Sequence, residues 1–327
     1  MPLSKTPRFW MLESTRHLRF ARAGRLNAWI GPAIRGLAGG RLRAATCRQP
    51  LPLQDTLWRN CRGCPLMGGC AFGELFEPDG EPIPDEFRGS RDRARPLVIA
   101  PAFPAPDRAV IGEILPIQVR FLGMTASQHS QAFWDALQAG GRDLLLGLGD
   151  DRILFNLELP QGESPADRLF PMHLPDEIDP ARPPIPWVRV HLTSPLVLRS
   201  HANQRNRQLL TNPSCADLLR ATLRTVGMLA RDLGEPVPQS TFPLLKSAAM
   251  QVPTVEANWS LFRQVKSSHR TGNRWEVEGI LGTATLGPIA PELVDWLEVG
   301  GRIHVGTHRV AGAGGWRVEY PPGWKRV

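Results

Sequence analysis

Lysine is scarce in this sequence: Lys5, Lys246, Lys266 and Lys325 are the only four among 39 basic residues, leaving 35 arginines. GC-rich coding favours that ratio, so by itself it names no partner. Long apolar runs are missing too. None approaches the eighteen residues a bilayer-spanning helix needs, which excludes such a span. The N-terminal stretch MPLSKTPRFWMLESTRH lacks an apolar core before a small-residue cleavage site, so it does not read as a secretory signal. A cytoplasmic, reducing setting is expected, where clustered cysteines more often bind metal or react than form disulfides. Helix-turn-helix and zinc-finger spacings are also absent, which weighs against a zinc-stabilised DNA-binding regulator.

Charge, by contrast, is abundant and unevenly placed. Residues 1–48 hold ten Lys or Arg against one acid, Glu13, whereas residues 49–185 hold twelve basic and twenty acidic residues. A net charge of +8 with this asymmetry suggests a nucleic-acid contact surface rather than general solubility.

The clearest boundary is FPMHLPDEIDPARPPIP, residues 170–186, with six prolines and no apolar periodicity; it reads as an extended linker. Before it, Leu115, Ile117, Val119 and Phe121 alternate with other residues as a strand does. Thr125–Gly140 reads as a helix, and Ile153, Phe155, Leu157 and Leu159 alternate again. After it, Val188, Val190 and Leu192 form a strand, and Ser214 with Asp217 opens a helix that Gly234 stops. Strands are expected near Trp275–Leu281 and Arg302–Val305, with a short helix at Pro291–Glu298 between them. The fold class expected is α+β: two tandem ferredoxin-like (RRM-like) domains, 1–169 and 187–327. A Cys-containing insertion at about 47–95 interrupts the first.

CRGCPLMGGC places Cys61, Cys64 and Cys70 close together, with Cys47 upstream. Four thiolates suffice for a closed tetrahedral zinc site, although the usual pair of CxxC motifs is missing. A thioredoxin-like use fits poorly, because no βαβ pattern sets Cys61 and Cys64 at a helix N-terminus. A structural clasp is the reading adopted, with zinc favoured over unligated thiols; Cys215 reads as a small buried hydrophobe. The glycine-rich stretch GGRIHVGTHRVAGAGGWRVE, with Gly312, Gly314 and Gly315, reads equally as an anion-binding nest or as a tight hairpin.

The order RWEVEGILGTATL, a short helix, then GGRIHVGTHRVAGAGGWRVE resembles the C-terminal domain of the CRISPR-associated endoribonucleases of the RAMP superfamily, which process precursor guide RNA. The resemblance extends through RFLG…LLLGLGDDRILFNLEL, HLTSPLVLR and GPAIRGLAGGRLRAATC…CRGCPLMGGCAFGELFEP, covering most of the chain in the family's order. It implies a cleft for a CRISPR repeat and metal-independent antiviral chemistry. A ribose 2′-OH attacks the adjacent phosphate, leaving a 2′,3′-cyclic phosphate and a 5′-OH, and the mature crRNA is retained. No cofactor is implied for catalysis, and similar Cys clusters occur in part of the family. CRISPR repeat RNA and other subunits of a CRISPR effector complex are the partners implied, with no membrane.

Many members place a His near the first helix, aided by Tyr or Lys. Here Gly31–Ala45 holds only Arg35, Arg41 and Arg43 as ionisable groups, and the sole tyrosine is Tyr320. The family's type IV branch, with arginines at its active site, is the nearer match. The catalytic candidates are therefore Arg22, Arg25 and Arg35, with His17 on the first strand as the competing proton acceptor. Arg41, Arg43, Arg199, His201, Arg205, Arg207, Lys266, His269, Arg270, Arg274, Gly312, Gly314 and Gly315 are the RNA-contact candidates, and Cys47, Cys61, Cys64 and Cys70 the metal candidates. The rival reading is a catalytically inactive repeat-binding subunit of an effector complex. Gly36, Gly39 and Gly40 are costly inside a helix, at roughly 1 kcal/mol each, so either close RNA approach or tight packing should offset them.

Overall fold

The computed structural model describes residues 6–49, 61, 63–78, 93–143, 146–148, 151–161, 165–200, 208–267 and 274–324. Two compact units share the chain. One comprises Phe9–Pro171 with Asp232–Gly234, the other Met1–Arg8, Met172–Arg231 and Glu235–Val327.

In the first unit, β1 (Phe9–Phe20) is the long central strand, flanked by β5 (Ile114–Leu122) and β6 (Phe155–Glu158). With β3 (Leu97–Pro101) the sheet order is β3-β5-β1-β6, and β7 (Asp167–Met172) also pairs β1. The described ladders β1–β5, β1–β6 and β3–β5 are antiparallel. This is the strand order of a ferredoxin-like βαββαβ unit. Alternation decides the faces: Leu115, Ile117, Val119 and Phe121 of β5 are buried, as are Leu18 and Phe20 of β1. Glu13, Thr15, His17 and Arg19 share the opposite face of β1. A small ribbon, β2 (Gly24–Arg25) with β4 (Arg108–Ala109), follows the end of β1.

Helix α1 (Gly31–Thr46) starts on Pro32, whose fixed φ suits a first turn, and buries Ile34, Leu37, Ala38 and Leu42. The short α2 (Ala71–Phe76) packs beside it. The expected helix over 125–140 is two, α3 (Met124–Gln128) and α4 (Ser130–Gly140). His129 lies between them at ψ 6°, its Nε2 held 2.6 Å from Glu74 Oε2 on α2. Phe133 of α4 stacks on Phe76 and meets Phe121 edge-on, so α2, α4 and β5 share one apolar centre.

The second unit repeats the plan. Strands β8 (Val188–Leu192), β9 (Thr254–Ser267), β10 (Arg274–Leu286) and β11 (Trp316–Glu319) lie in the order β11-β8-β10-β9, with antiparallel neighbours. Among the described residues three α-helices accompany it: α5 (Cys215–Leu233), α6 (Thr241–Met250) and α7 (Pro291–Ile303). The Ser214–Asp217 capping box forms as expected, with Ser214 N–H donating to Asp217 at 3.0 Å. The strand expected at Arg302–Val305 is instead the last turn of α7 and the residues after it. Gly300 and Gly301 permit this: a Cβ on Gly301 would stand 2.2 Å from the Trp316 carbonyl, so the helix needs glycine to lie against β11. The proline-rich stretch 172–186 is no free linker. It buries Leu174 and Ile185, pairs Ile185 with Ile289, and accepts the Trp296 indole N–H at Pro175. Among the described residues no helix is long and apolar enough to cross a membrane.

Candidate nucleic-acid interface and active site

The arginines at and after the end of β1 make separate contacts. Arg19 donates through Nε to Glu158 at 2.5 Å and through NH1 to the Gly112 carbonyl at 2.8 Å. That bond holds the Glu158 carboxyl below the usual carboxylate range. Arg22 follows the strand and is exposed. Arg25 on β2 binds Asp151 twice, through its backbone N–H at 2.8 Å and Nε at 3.0 Å, and these two bonds depress the Asp151 carboxyl. Arg108, missed in the sequence reading, is the β4 register partner of Arg25 and is exposed. Its isolated place in an otherwise acidic stretch gave no sign of this. His17 sits half-buried on β1, opposite Glu158 on β6 and Pro116 on β5. From His17 to Phe20 is already about 10 Å of strand, so His17 lies well before Arg22 and Arg25 along the chain.

Helix α1 distributes its arginines otherwise. Arg35 and Arg43, eight residues apart on one face, turn to α2. Arg35 lies over the Phe76 ring at 5.6 Å and Arg43 over Phe72 at 5.3 Å. Burial, with Arg95 nearby, lowers the Arg35 guanidinium below its ordinary value. Arg43 is only 4% exposed. Gly39, between them, lets the helix close on Phe76, which a Cβ would meet at 3.1 Å, whereas Gly36 and Gly40 face open space. Arg41 is exposed and ion-paired with Asp143. The structure therefore leaves Arg22 and Arg25 exposed just beyond β1 and packs Arg35 and Arg43 on Phe76 and Phe72.

In the second unit, Arg199 is exposed at a bridge to Leu209, and Arg274 at the start of β10 pairs Ser267. Lys266 occupies a β9 position opposite Trp275. His201, Arg205, Arg207, His269 and Arg270 lie outside the described residues. The glycine-rich loop is buried, and its N–H groups are used within the unit. Gly312 donates to Arg309, Gly314 to Pro195 and Gly315 to the Ser194 hydroxyl. A Cβ on Gly314 would stand 1.9 Å from the Val305 carbonyl. These glycines serve close backbone packing, the tight-turn alternative, rather than an open anion nest.

The cysteines form a knuckle of successive turns. Cys64 N–H bonds Cys61, Met67 bonds Cys64 and Cys70 bonds Met67, each through the backbone. The Gln49 amide donates to Cys64 Sγ at 2.7 Å. Burial pushes the Cys61 thiol up to about 11, against the pull of Arg43. All five cysteines are free thiols. Among the described residues no group of three or more His, Cys, Asp or Glu side chains that could hold a metal ion is found, so the expected zinc gains no support here.

Two family models match the chain: the AF_1859 N-terminal domain over residues 9–173 and the CRISPR-associated endoribonuclease Cas6 over residues 190–316. No curated protein matches it. Among solved structures, a Cas6 (TTHB231) product complex is similar at TM-score 0.53 and 15% identity, covering 94% of this chain and all of that one. A partial Cas6-RT-Cas1–Cas2 complex is similar at TM-score 0.55 and 13% identity. It covers all of this chain, which spans 48% of that protein. At these identities the likeness is one of fold.

Proposed function

Because the chain belongs to the CRISPR-associated RAMP endoribonucleases, with the AF_1859 N-terminal domain over residues 9–173 and the Cas6 domain over residues 190–316, we propose that it binds CRISPR repeat RNA and cuts it without a metal. The observation that carries this reading is the Cas6 match falling on one of two tandem ferredoxin-like units, with an exposed arginine corner on the other. Cleavage starts from a ribose 2′-OH and ends in a 2′,3′-cyclic phosphate and a 5′-OH. Arg22 and Arg25 orient the scissile phosphate and neutralise the charge that builds on it. Arginine suits this task and is poorly suited to moving a proton, since its pKa lies far above neutrality. His17, beside Glu158, is the competing proton acceptor. Contacts to phosphates away from the cut persist afterwards, so the mature crRNA stays bound and is handed to other subunits of an effector complex.

The second reading, a repeat-binding subunit that does not cut, draws on one observation: α1 carries no proton shuttle and turns Arg35 and Arg43 inward onto α2. End-labelled repeat RNA incubated with the purified protein in EDTA separates the two. The proposal expects a single cut with cyclic-phosphate and hydroxyl termini. Tight binding with no cut would replace it by the second reading.

A further inference from the structure

The turn between β4 and β5 carries two adjacent aliphatic side chains in water. Val110 is 57% exposed and Ile111 66% exposed, with Ile114 at the start of β5 40% exposed. Scattered single exposures of this kind are ordinary, but two at the tip of a fixed turn are not. The turn backbone is held from three sides. Glu113 N–H donates to the Val110 carbonyl at 3.0 Å and Gly112 N–H to the Phe20 carbonyl at 2.7 Å. Arg19 donates to the Gly112 carbonyl at 2.8 Å, and Val110 N–H donates to the Glu113 carboxylate at 3.2 Å. Gly112 takes φ +85°, which closes the turn tightly and leaves the Val110 and Ile111 side chains outside it.

Around this tip stand Arg19, Arg22, Arg25 and Arg108, at the end of β1 and on the β2–β4 ribbon that leads into the turn. Glu158 engages Arg19, Asp151 engages the Arg25 side chain through Nε alone, and Glu113 is used by the turn itself, so Arg22, Arg108 and the exposed remainder of Arg25 supply the outward charge. Rigid aliphatic side chains flanked by cations match a nucleobase face with phosphates on either side. Apolar wedges in nucleic-acid proteins press on base faces in this way while the arginines track the backbone.

We propose that Val110 and Ile111 form a wedge that packs on a nucleobase face of the RNA held at the arginine corner, fixing its register there. The proposal deepens the repeat-RNA reading and rests on it. The base belongs either to the last pair of a stem or to an unpaired nucleotide.

Equilibrium binding, not cleavage, is the readout, so a protein that binds without cutting still tests the wedge. Val110→Ser/Ile111→Ser should weaken binding of repeat RNA roughly tenfold with an unchanged salt dependence, since no phosphate contact is lost. Arg108→Ala should instead flatten the salt dependence. The same double variant is then measured on repeat RNAs with single abasic sites. At one position the abasic site should cancel its penalty, and whether that position is paired identifies the source of the base. Wild-type affinity in the double variant, or a penalty that adds to every abasic site alike, would overturn the wedge. Failure of the wild type to bind repeat RNA would overturn both the wedge and the reading beneath it.

Discussion

Cys61 and Arg35 are two groups whose surroundings alter their ordinary chemistry. The Cys61 thiol, raised from 9.0 to about 11 chiefly by burial, stays protonated at neutral pH. Its contribution to stability is full below pH 9 and is lost as pH rises through about 11. Because the thiolate is the nucleophile, iodoacetamide should label Cys61 slowly at about pH 7.5, and faster by roughly tenfold per unit of pH toward the thiol's own value. Peptide mass spectrometry reads this directly; rapid labelling at neutral pH, or one tightly held zinc per chain, would contradict a protonated thiol. Arg35, half-buried over Phe76, is a packing residue here rather than the phosphate ligand its place in α1 suggested. Arg35→Ala should lower stability by about 1–2 kcal/mol, as expected of a desolvated cation–π contact. It should leave the cleavage rate of the folded protein within about threefold. A hundredfold slower cut in a fully folded variant would return Arg35 to the chemistry.

Among the elements, the glycines divide by what surrounds them. At Gly36 and Gly40 of α1 an added methyl group would meet nothing within 4 Å, so Gly36→Ala should stabilise the helix by up to about 1 kcal/mol. In Gly301→Ala, the new methyl meets the Trp316 carbonyl at 2.2 Å, and the variant should lose several °C in Tm. Thermal melts of the two should move in opposite directions; a stabilised Gly301→Ala would refute the α7–β11 packing. That contact also shows where the sequence was readable. Strands with an alternating buried face, such as 114–122 and 188–192, and the helix 31–46 with its proline start, announce themselves through period and punctuation. The expected helix stops at Glu298, short of Gly300 and Gly301, because the reason for those glycines lies in a strand fifteen residues on. The inward turn of Arg35 and Arg43 was hidden likewise, since it depends on Phe72 and Phe76 of α2. Arg22 and Arg25 stay exposed after β1, although the bond from Arg25 to Asp151, 126 residues on, was equally hidden in the sequence.

At the scale of the whole molecule, each ferredoxin-like unit carries exposed arginines and the net charge is +8, as the proposed binding of RNA requires. Each phosphate neutralised on single-stranded RNA should contribute roughly −0.7 to the slope of log K against log salt, so repeat binding should weaken steeply between low and high salt. A flat dependence would remove the electrostatic basis of recognition. Single-turnover cleavage of repeat RNA by Arg22→Ala/Arg25→Ala beside His17→Ala, with binding measured in parallel, shows whether the chemistry lies at the end of β1. The double arginine variant should cut at least about a hundredfold more slowly than wild type under saturating protein, comparable with losing a transition-state donor, while His17→Ala changes the rate far less. A wild-type rate in the arginine variant, together with collapse of cleavage in His17→Ala, would contradict that placement.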